Sequence, residues 1–246
     1  MSDSGLASNP SGGAKPRHRL TQPALNEDLM QAVVAPENMR RAWARVKANK
    51  GAPGIDGMPI EEFPAFAREH WPAIRQALLD GCYYPSPVRR VLIPKPGGDE
   101  RALGIPNVVD RVIQQAISQV MTPIFDPEFS ESSFGFRPRR SAHGAVKQVQ
   151  AFVKTGYCIA VDLDLAKFFD NVRHDILMAR VARRIGDKQL LRLIGRYLRA
   201  GVMIGECVEP SEMGTPQGGP LSPLLANILL DDLDWELDRR GQRFAR

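Results

Sequence analysis

The sequence predicts an α+β fold, and three observations carry that prediction. Helical and strand patterns follow one another in irregular order instead of the regular alternation of a doubly wound sheet. Two short basic strands joined by a Gly-Gly turn read as a hairpin in the first half of the chain. A central stretch, "CIAVDLDLAKFFDNV" from Cys158 to Val172, alternates like a half-buried strand yet carries carboxylates on one of its faces.

Composition sets the bounds. The chain has 246 residues, 43% hydrophobic and 25% charged, enough for a sizeable core in one domain or two. A net charge of +5 is compatible with an anionic partner such as nucleic acid without establishing one. Three distant cysteines, Cys82, Cys158 and Cys207, show no Cys-x-x-Cys spacing, which argues for reduced thiols, a cytoplasmic setting and no structural zinc. The opening "MSDSGLASNPSGGAKPRHRLTQP" has no apolar core segment and reads as a disordered tail, not a signal peptide. No apolar run approaches the roughly 18 residues of a membrane span.

The elements follow in order. "PENMRRAWARVKANKG" is a basic helix with Pro36 in its first turn and Gly51 past its end, and "GAPGIDG" is the turn that follows. Ile60 to Leu79 is helical, with interruptions expected near Pro64 and Pro72. "VRRVLIPKPGGDERALGIP" gives strands Val88 to Pro94 and Arg101 to Ile105, a hairpin studded with Arg89, Arg90, Lys95 and Arg101. Val109, Val112, Ile113, Ala116, Ile117, Val120 and Met121 keep helical spacing, and Asn107 with Asp110 is placed to cap that helix. Ser141 caps another, running to about Val153. Helices near 175–184 and 187–199 and a hairpin through "VMIGECVEPS" come next. In the last helix Ser222 and Pro223 read as N-cap and first residue, with Leu225, Ile228, Leu229, Leu233 and Leu237 as one stripe.

Four motifs carry chemistry. In the central strand Asp162 and Asp164 share a face, about 6.6 Å apart by strand rise, so both can approach one cation or one group of phosphate oxygens; an isolated Asp-x-Asp is equally the solvated end of a strand. The hairpin is either an arm whose Lys95 and Arg101 fold over a triphosphate or an edge strand protected by charge. "SSFGFRPRRSAHGA" interleaves Arg137, Arg139 and Arg140 with two Phe residues, a composition that suits a nucleic-acid backbone as well as a core with surface arginines. "GTPQGGPLSP" sets Gln217 among glycines just before a helix, where backbone can approach a ligand closely or simply turn.

Read in order, "NKGAPGIDG", "VRRVLIPKPGGDERALGIPNVVDRVIQQAI", "SFGFRPRRSAHGAV", "VDLDLAKFFDNVRHDIL" and "GTPQGGPLSPLLANILLDDLD" resemble a group II intron reverse transcriptase, the RNA-directed DNA polymerase and maturase of mobile bacterial introns. The resemblance runs from about Asn49 to Asp234. It implies the fingers and part of the palm of a right-hand polymerase: a tail over 1–30, fingers over 31–106, palm over 107–172, further fingers over 173–213 and palm again over 214–246. It implies that Asp164 binds Mg²⁺ together with the backbone carbonyl of Leu165. Lys95 and Arg101 would hold the incoming dNTP, Phe169 would exclude a ribose 2′-hydroxyl, and Gln217 would lie against the sugar and base. Arg137, Arg139 and Arg140 would contact template or intron RNA, while His143 and His174 are structural. Partners implied are an intron RNA template, a DNA or RNA primer and dNTPs, with no membrane.

The resemblance also sets an expectation of shortfall. The family's Tyr-Ala-Asp-Asp turn would follow Arg246, so one motif aspartate stands where two metals must be clamped, and this stretch alone is expected not to polymerise and to be prone to associate. Asp231, Asp232 and Asp234 lie along the last helix and are not substitutes. Two other readings stand beside the polymerase: a non-catalytic intron RNA-binding maturase remnant, and an unrelated Mg²⁺ phosphotransferase using Asp162 and Asp164.

Overall fold

In the computed structural model the described residues are 26–94, 98, 100–205, 207–215 and 218–246. The core is built on α4 (Val108–Phe125), whose Val108, Val112, Ile113, Ala116, Ile117 and Met121 are all buried. Around it pack α1 (Leu29–Val33), α2 (Pro36–Ala48) and α3 (Phe63–Leu79), then α6 (His174–Val181), α7 (Lys188–Arg199) and α8 (Ser222–Arg239). One continuous apolar cluster runs from Met30 to Ile228.

Buried polar side chains lock these helices in place, because a polar group taken out of water must be paired. Asn38 on α2 donates to Val33 O at 2.9 Å and to Ala116 O of α4 at 3.1 Å. Asp187 caps α7 by accepting from Gln189 N (2.9 Å) and Leu190 N (3.0 Å), and its other oxygen accepts from Met30 N of α1 at 2.7 Å. One carboxylate thus ties α1 to the start of α7.

The sheet has four strands in the order β2-β1-β3-β4. β1 (Val88–Pro94) pairs antiparallel with β2 (Glu100–Ile105), Arg89 opposite Ile105 and Pro94 opposite Glu100. β3 (Val202–Ile204) runs parallel to β1 and antiparallel to β4 (Cys207–Glu209). Both expected hairpins are therefore present and joined side by side. No helix among the described residues is long and apolar enough to cross a membrane, and the three cysteines are free.

Several local expectations are corrected. Pro72 does not interrupt α3, since it lies on the exposed side where the carbonyl it leaves unpaired meets water. Asn107 stands at the N-cap position of α4 but its Oδ1 accepts from Ile55 N at 2.9 Å and Asp56 N at 3.4 Å, fastening the "GAPGIDG" turn instead of the helix. Ser141 does cap α5 (Ala142–Lys154), accepting from Gly144 N. α8 begins with Ser222 as its first helical residue, and its buried side runs through Leu224, Leu225, Ile228, Asp231 and Asp234 while Leu233 is exposed. The polar residues win that face because Asp234 receives the Arg246 guanidinium at 2.6 Å and Arg246 also reaches Asn227 and Ser133.

The largest correction concerns the central alternating stretch. Residues 157–165 form no strand, and Ile159, Val161 and Leu163 are 88%, 78% and 80% exposed. Alternation specifies a strand only when a neighbour completes the backbone ladder and an apolar layer covers one face. None of the described strands lies beside it, and α5, leading into it, buries none of its residues, leaving Val146, Val149 and Val153 in solvent.

Candidate nucleotide-binding cleft

A cleft of about 290 Å³ opens between the β1–β2 hairpin and the turn that carries Phe169. Arg90, Leu103 and Gly104 line it from the hairpin; Phe169, Asp170 and Thr215 line it from the other side. Its geometry follows from three local structures.

The hairpin is rooted by a buried carboxylate. Asp110 on α4 accepts from Tyr83 Oη at 2.8 Å, Tyr197 Oη at 3.1 Å and, two residues before β1, Ser86 N at 3.2 Å. Burial pushes its carboxyl up to about 6 even though these donors favour the anion. Burial and the adjacent carboxylate likewise raise both tyrosines, so each remains a donor.

The aromatic turn is a short 3₁₀ segment, Phe168–Asn171, entered through Lys167 in the left-handed region at φ 49°. Phe168 and Phe169 meet edge to face, ring centres 5.3 Å apart. Phe169 is half-buried against the cleft.

The glycine loop is fastened to that turn by main-chain bonds. Thr215 N donates to Phe169 O at 2.8 Å, Gly214 N donates to Val172 O at 2.8 Å, and Arg173 forms a bridge with Met213. His174 Nε2 lies 2.6 Å from Gly214 O, a structural role as expected. A Cβ on Gly214, at φ +89°, would meet Phe169 O at 3.0 Å. One on Gly218, at φ +128°, would meet Gly104 O of β2 at 2.6 Å. The loop is therefore wedged between the aromatic turn and the hairpin, and side-chain-free residues are required where it is wedged. The Thr215 hydroxyl is buried there with no hydrogen-bond partner among the described residues.

The candidate residues divide. Phe169 lies in the cleft wall. Lys95 and Gln217 lie outside the described residues. Arg101 takes its place in β2 opposite Ile93. Asp164 and Leu165 lie on the exposed stretch and do not line the cleft. Among the described residues no three His, Cys, Asp or Glu side chains gather closely enough to hold a metal ion, so these residues do not by themselves fit a Mg²⁺ site.

Arg137 is corrected from RNA contact to scaffold. Its side chain is 4% exposed, paired with Asp126 at 2.8 Å and donating to Ser130 O, Ser133 O and Asp126 O. Arg140 is half-buried, paired with Glu131 and set over the Phe134 ring. Arg139 remains exposed and has no ion pair among the described residues. Arg90, Met213 and Thr215 were not singled out as cleft residues from sequence. Arg90 was visible as a hairpin cation, and strand alternation separates it from Arg89, whose Nε is buried; Met213 and Thr215 carry no sequence signal because tertiary contact alone brings them in.

Comparison with known proteins agrees with this arrangement. The family model described as "Reverse transcriptase (RNA-dependent DNA polymerase)" matches residues 93–245. The chain is 38% identical over 219 residues to the group II intron-encoded protein LtrA of Lactococcus lactis subsp. cremoris, covering 89% of this chain and 36% of that protein. It is 37% identical over 227 residues to protein YkfC of Escherichia coli, covering 89% of this chain and 60% of that one. Among solved structures, a chain of a "Partial Cas6-RT-Cas1--Cas2 complex" superposes with a TM-score of 0.57 at 26% identity, over 86% of this chain and 35% of that one. The chain thus spans 60% or less of the length of these relatives.

Proposed function

This chain belongs to the reverse transcriptase (RNA-dependent DNA polymerase) family, and from that membership we propose that it supplies the nucleotide-binding cleft of an RNA-directed DNA polymerase encoded by a group II intron. The observation that carries the reading is the cleft itself: a basic hairpin, an aromatic turn and a glycine loop, distant in sequence, meet around one opening, the turn and loop joined by main-chain bonds and the loop packed against Gly104 O of the hairpin. The similarity to LtrA supports the intron assignment, and with it a role in splicing and mobility of the intron RNA.

In this reading the incoming dNTP lies in the cleft. Arg90, Lys95 and Arg101 offer cations to its triphosphate. The Phe169 ring takes the space a 2′-hydroxyl would need, so selection for deoxynucleotides works by exclusion. Gln217 offers an amide to the sugar and base. The primer 3′-hydroxyl attacks the α-phosphorus; the new P–O bond forms as the bond to pyrophosphate breaks, and the hydroxyl proton leaves to solvent. Reverse transcriptases use divalent metal ions; Asp164 and the Leu165 carbonyl are proposed as part of a Mg²⁺ ligand set that needs further carboxylates beside them. Template RNA and primer are the proposed partners and the cytoplasm the proposed location.

The test is RNA-templated primer extension by the full-length gene product, wild type against Asp164→Ala. The expected result is extension by the wild type, loss of at least a hundredfold in the variant, and equal RNA affinity in both. RNA binding without extension by the wild type would assign the maturase-remnant reading instead.

A further inference from the structure

The glycine loop meets the aromatic turn through main-chain bonds. Gly214 N donates to Val172 O and Thr215 N to Phe169 O, each at 2.8 Å. Among the described residues two side chains add to these bonds. Ser211 Oγ donates to Met213 O at 2.8 Å at the surface, where water offers the same bond. His174 acts where water does not reach: it is 9% exposed, Gly214 is buried, and Nε2 lies 2.6 Å from Gly214 O. A carbonyl oxygen only accepts, so Nε2 carries the hydrogen and the ring donates.

An imidazole is a costly choice for that position. His174, Leu177 and Val181 are the buried residues of α6, at helical spacing, so an apolar side chain at 174 would complete that face without the cost of burying a polar ring. What the imidazole adds is the donor. Without it a buried carbonyl is left unpaired, and the loop regains a partner only by moving toward water. That movement is passed to the aromatic turn. Thr215, next in the chain, is bonded to Phe169 O, and Gly214 packs so closely that a Cβ on it would lie 3.0 Å from Phe169 O and 3.1 Å from Asp170 O. We propose that His174 is a positioning residue for nucleotide selection: through Gly214 O it fixes the glycine loop, and with the loop the Phe169 ring. Exclusion of a 2′-hydroxyl works only if the ring cannot give way, and a misplacement of about 1 Å is enough to undo it. The inference deepens the reading of the cleft as a deoxynucleotide site and rests on it.

The test compares wild type with three variants. In His174→Gln the amide nitrogen reaches the place of Nε2, in His174→Asn the shorter amide does not, and His174→Leu fills the space with no donor. Affinities for dGTP and GTP are measured by calorimetry, with the Tm of each variant and the tautomer of the wild-type ring by nitrogen NMR. The wild type should prefer dGTP by about tenfold or more. His174→Leu and His174→Asn should lower that preference about fivefold, while His174→Gln stays within about twofold of wild type. With Phe169→Ala already present, His174→Leu should change the preference by less than about twofold, because the imidazole acts through the ring. A merely structural role would lower the Tm and both affinities together and leave their ratio alone. A selective wild type whose preference survives in His174→Leu and His174→Asn therefore overturns this inference and spares the cleft reading. If His174→Leu does not fold, the other two variants decide, and equal preference in His174→Gln and His174→Asn overturns it. A ring protonated on Nδ1 alone overturns it whatever the nucleotides do. Equal affinity of the wild type for dGTP and GTP overturns it together with the cleft reading.

Discussion

Two segments next to each other in sequence behave in opposite ways. Residues 168–172 make main-chain bonds to the glycine loop, and Phe169 is half-buried against the cleft. Residues 157–165, immediately before them, have no strand partner among the described residues, and every one of their side chains is exposed. Both carry residues that the polymerase reading needs, Phe169 in the first and Asp164 in the second. What separates them is completion: the partners of the first lie within this chain, whereas an alternating segment is specified by a neighbouring strand and an apolar layer, and none of the described strands supplies them. The aromatic turn of the proposed nucleotide cleft is fixed by bonds within this chain, while the segment that carries Asp164 has no strand partner among the described residues.

The comparison is sharpened by substitutions on its two sides. The largest expected effect is pH-dependent and lies at the root of the hairpin. Asp110 has a folded-state value of about 6 against 3.8 in an exposed carboxyl. Because the folded value is raised, the folded state binds the proton more tightly. The stabilisation is complete below pH 3.8 and is lost as the pH rises through about 6, a change of about 3 kcal/mol. Asp110→Asn should flatten the dependence of Tm on pH across that window, as calorimetry at pH 4, 5, 6 and 7 would register.

Next in size is the wedge. Gly218→Ala must force a Cβ toward Gly104 O from a backbone at φ +128°, and it should cost about 2–3 kcal/mol, read as a lower urea midpoint at unchanged m-value. Nucleotide affinity should fall with it, because the loop and hairpin separate.

The smallest effect belongs to the other side. Val161→Ser and Leu163→Ser remove apolar groups that are 78% and 80% exposed, so each should shift stability by less than about 0.5 kcal/mol. A loss of 2 kcal/mol at either position would show that this segment is packed in solution and would break the contrast.

The same contrast explains what could be read from sequence. The hairpin, α2, α4 and α7 were legible because local patterning and burial agree: in α4 the helical spacing from Val109 to Met121 is the spacing that is buried. Phe169 was legible as a cleft residue through the family blocks, since its motif spacing travels with its place in the fold. The central strand was misread because alternation reports what a segment would do beside a partner. Arg137 was misread because its buried acceptors, Asp126 Oδ1 and the carbonyls of Ser130 and Ser133, leave no pattern in a run of basic residues. Asp110, Asp187 and Asp234 were hidden for a related reason: carboxylates usually lie at the surface, and only the assembled fold shows Tyr83, Met30 N or Arg246 waiting for each.

The most direct measurement is calorimetric titration of this chain with dGTP and with GTP, for wild type and Phe169→Ala. The account predicts that wild type binds dGTP roughly tenfold or more tightly than GTP, and that Phe169→Ala closes the gap by improving GTP binding while leaving dGTP binding nearly as it was. Equal affinity for the two nucleotides in the wild type, or a gap that survives loss of the ring, would contradict the assignment of this cleft to the incoming deoxynucleotide.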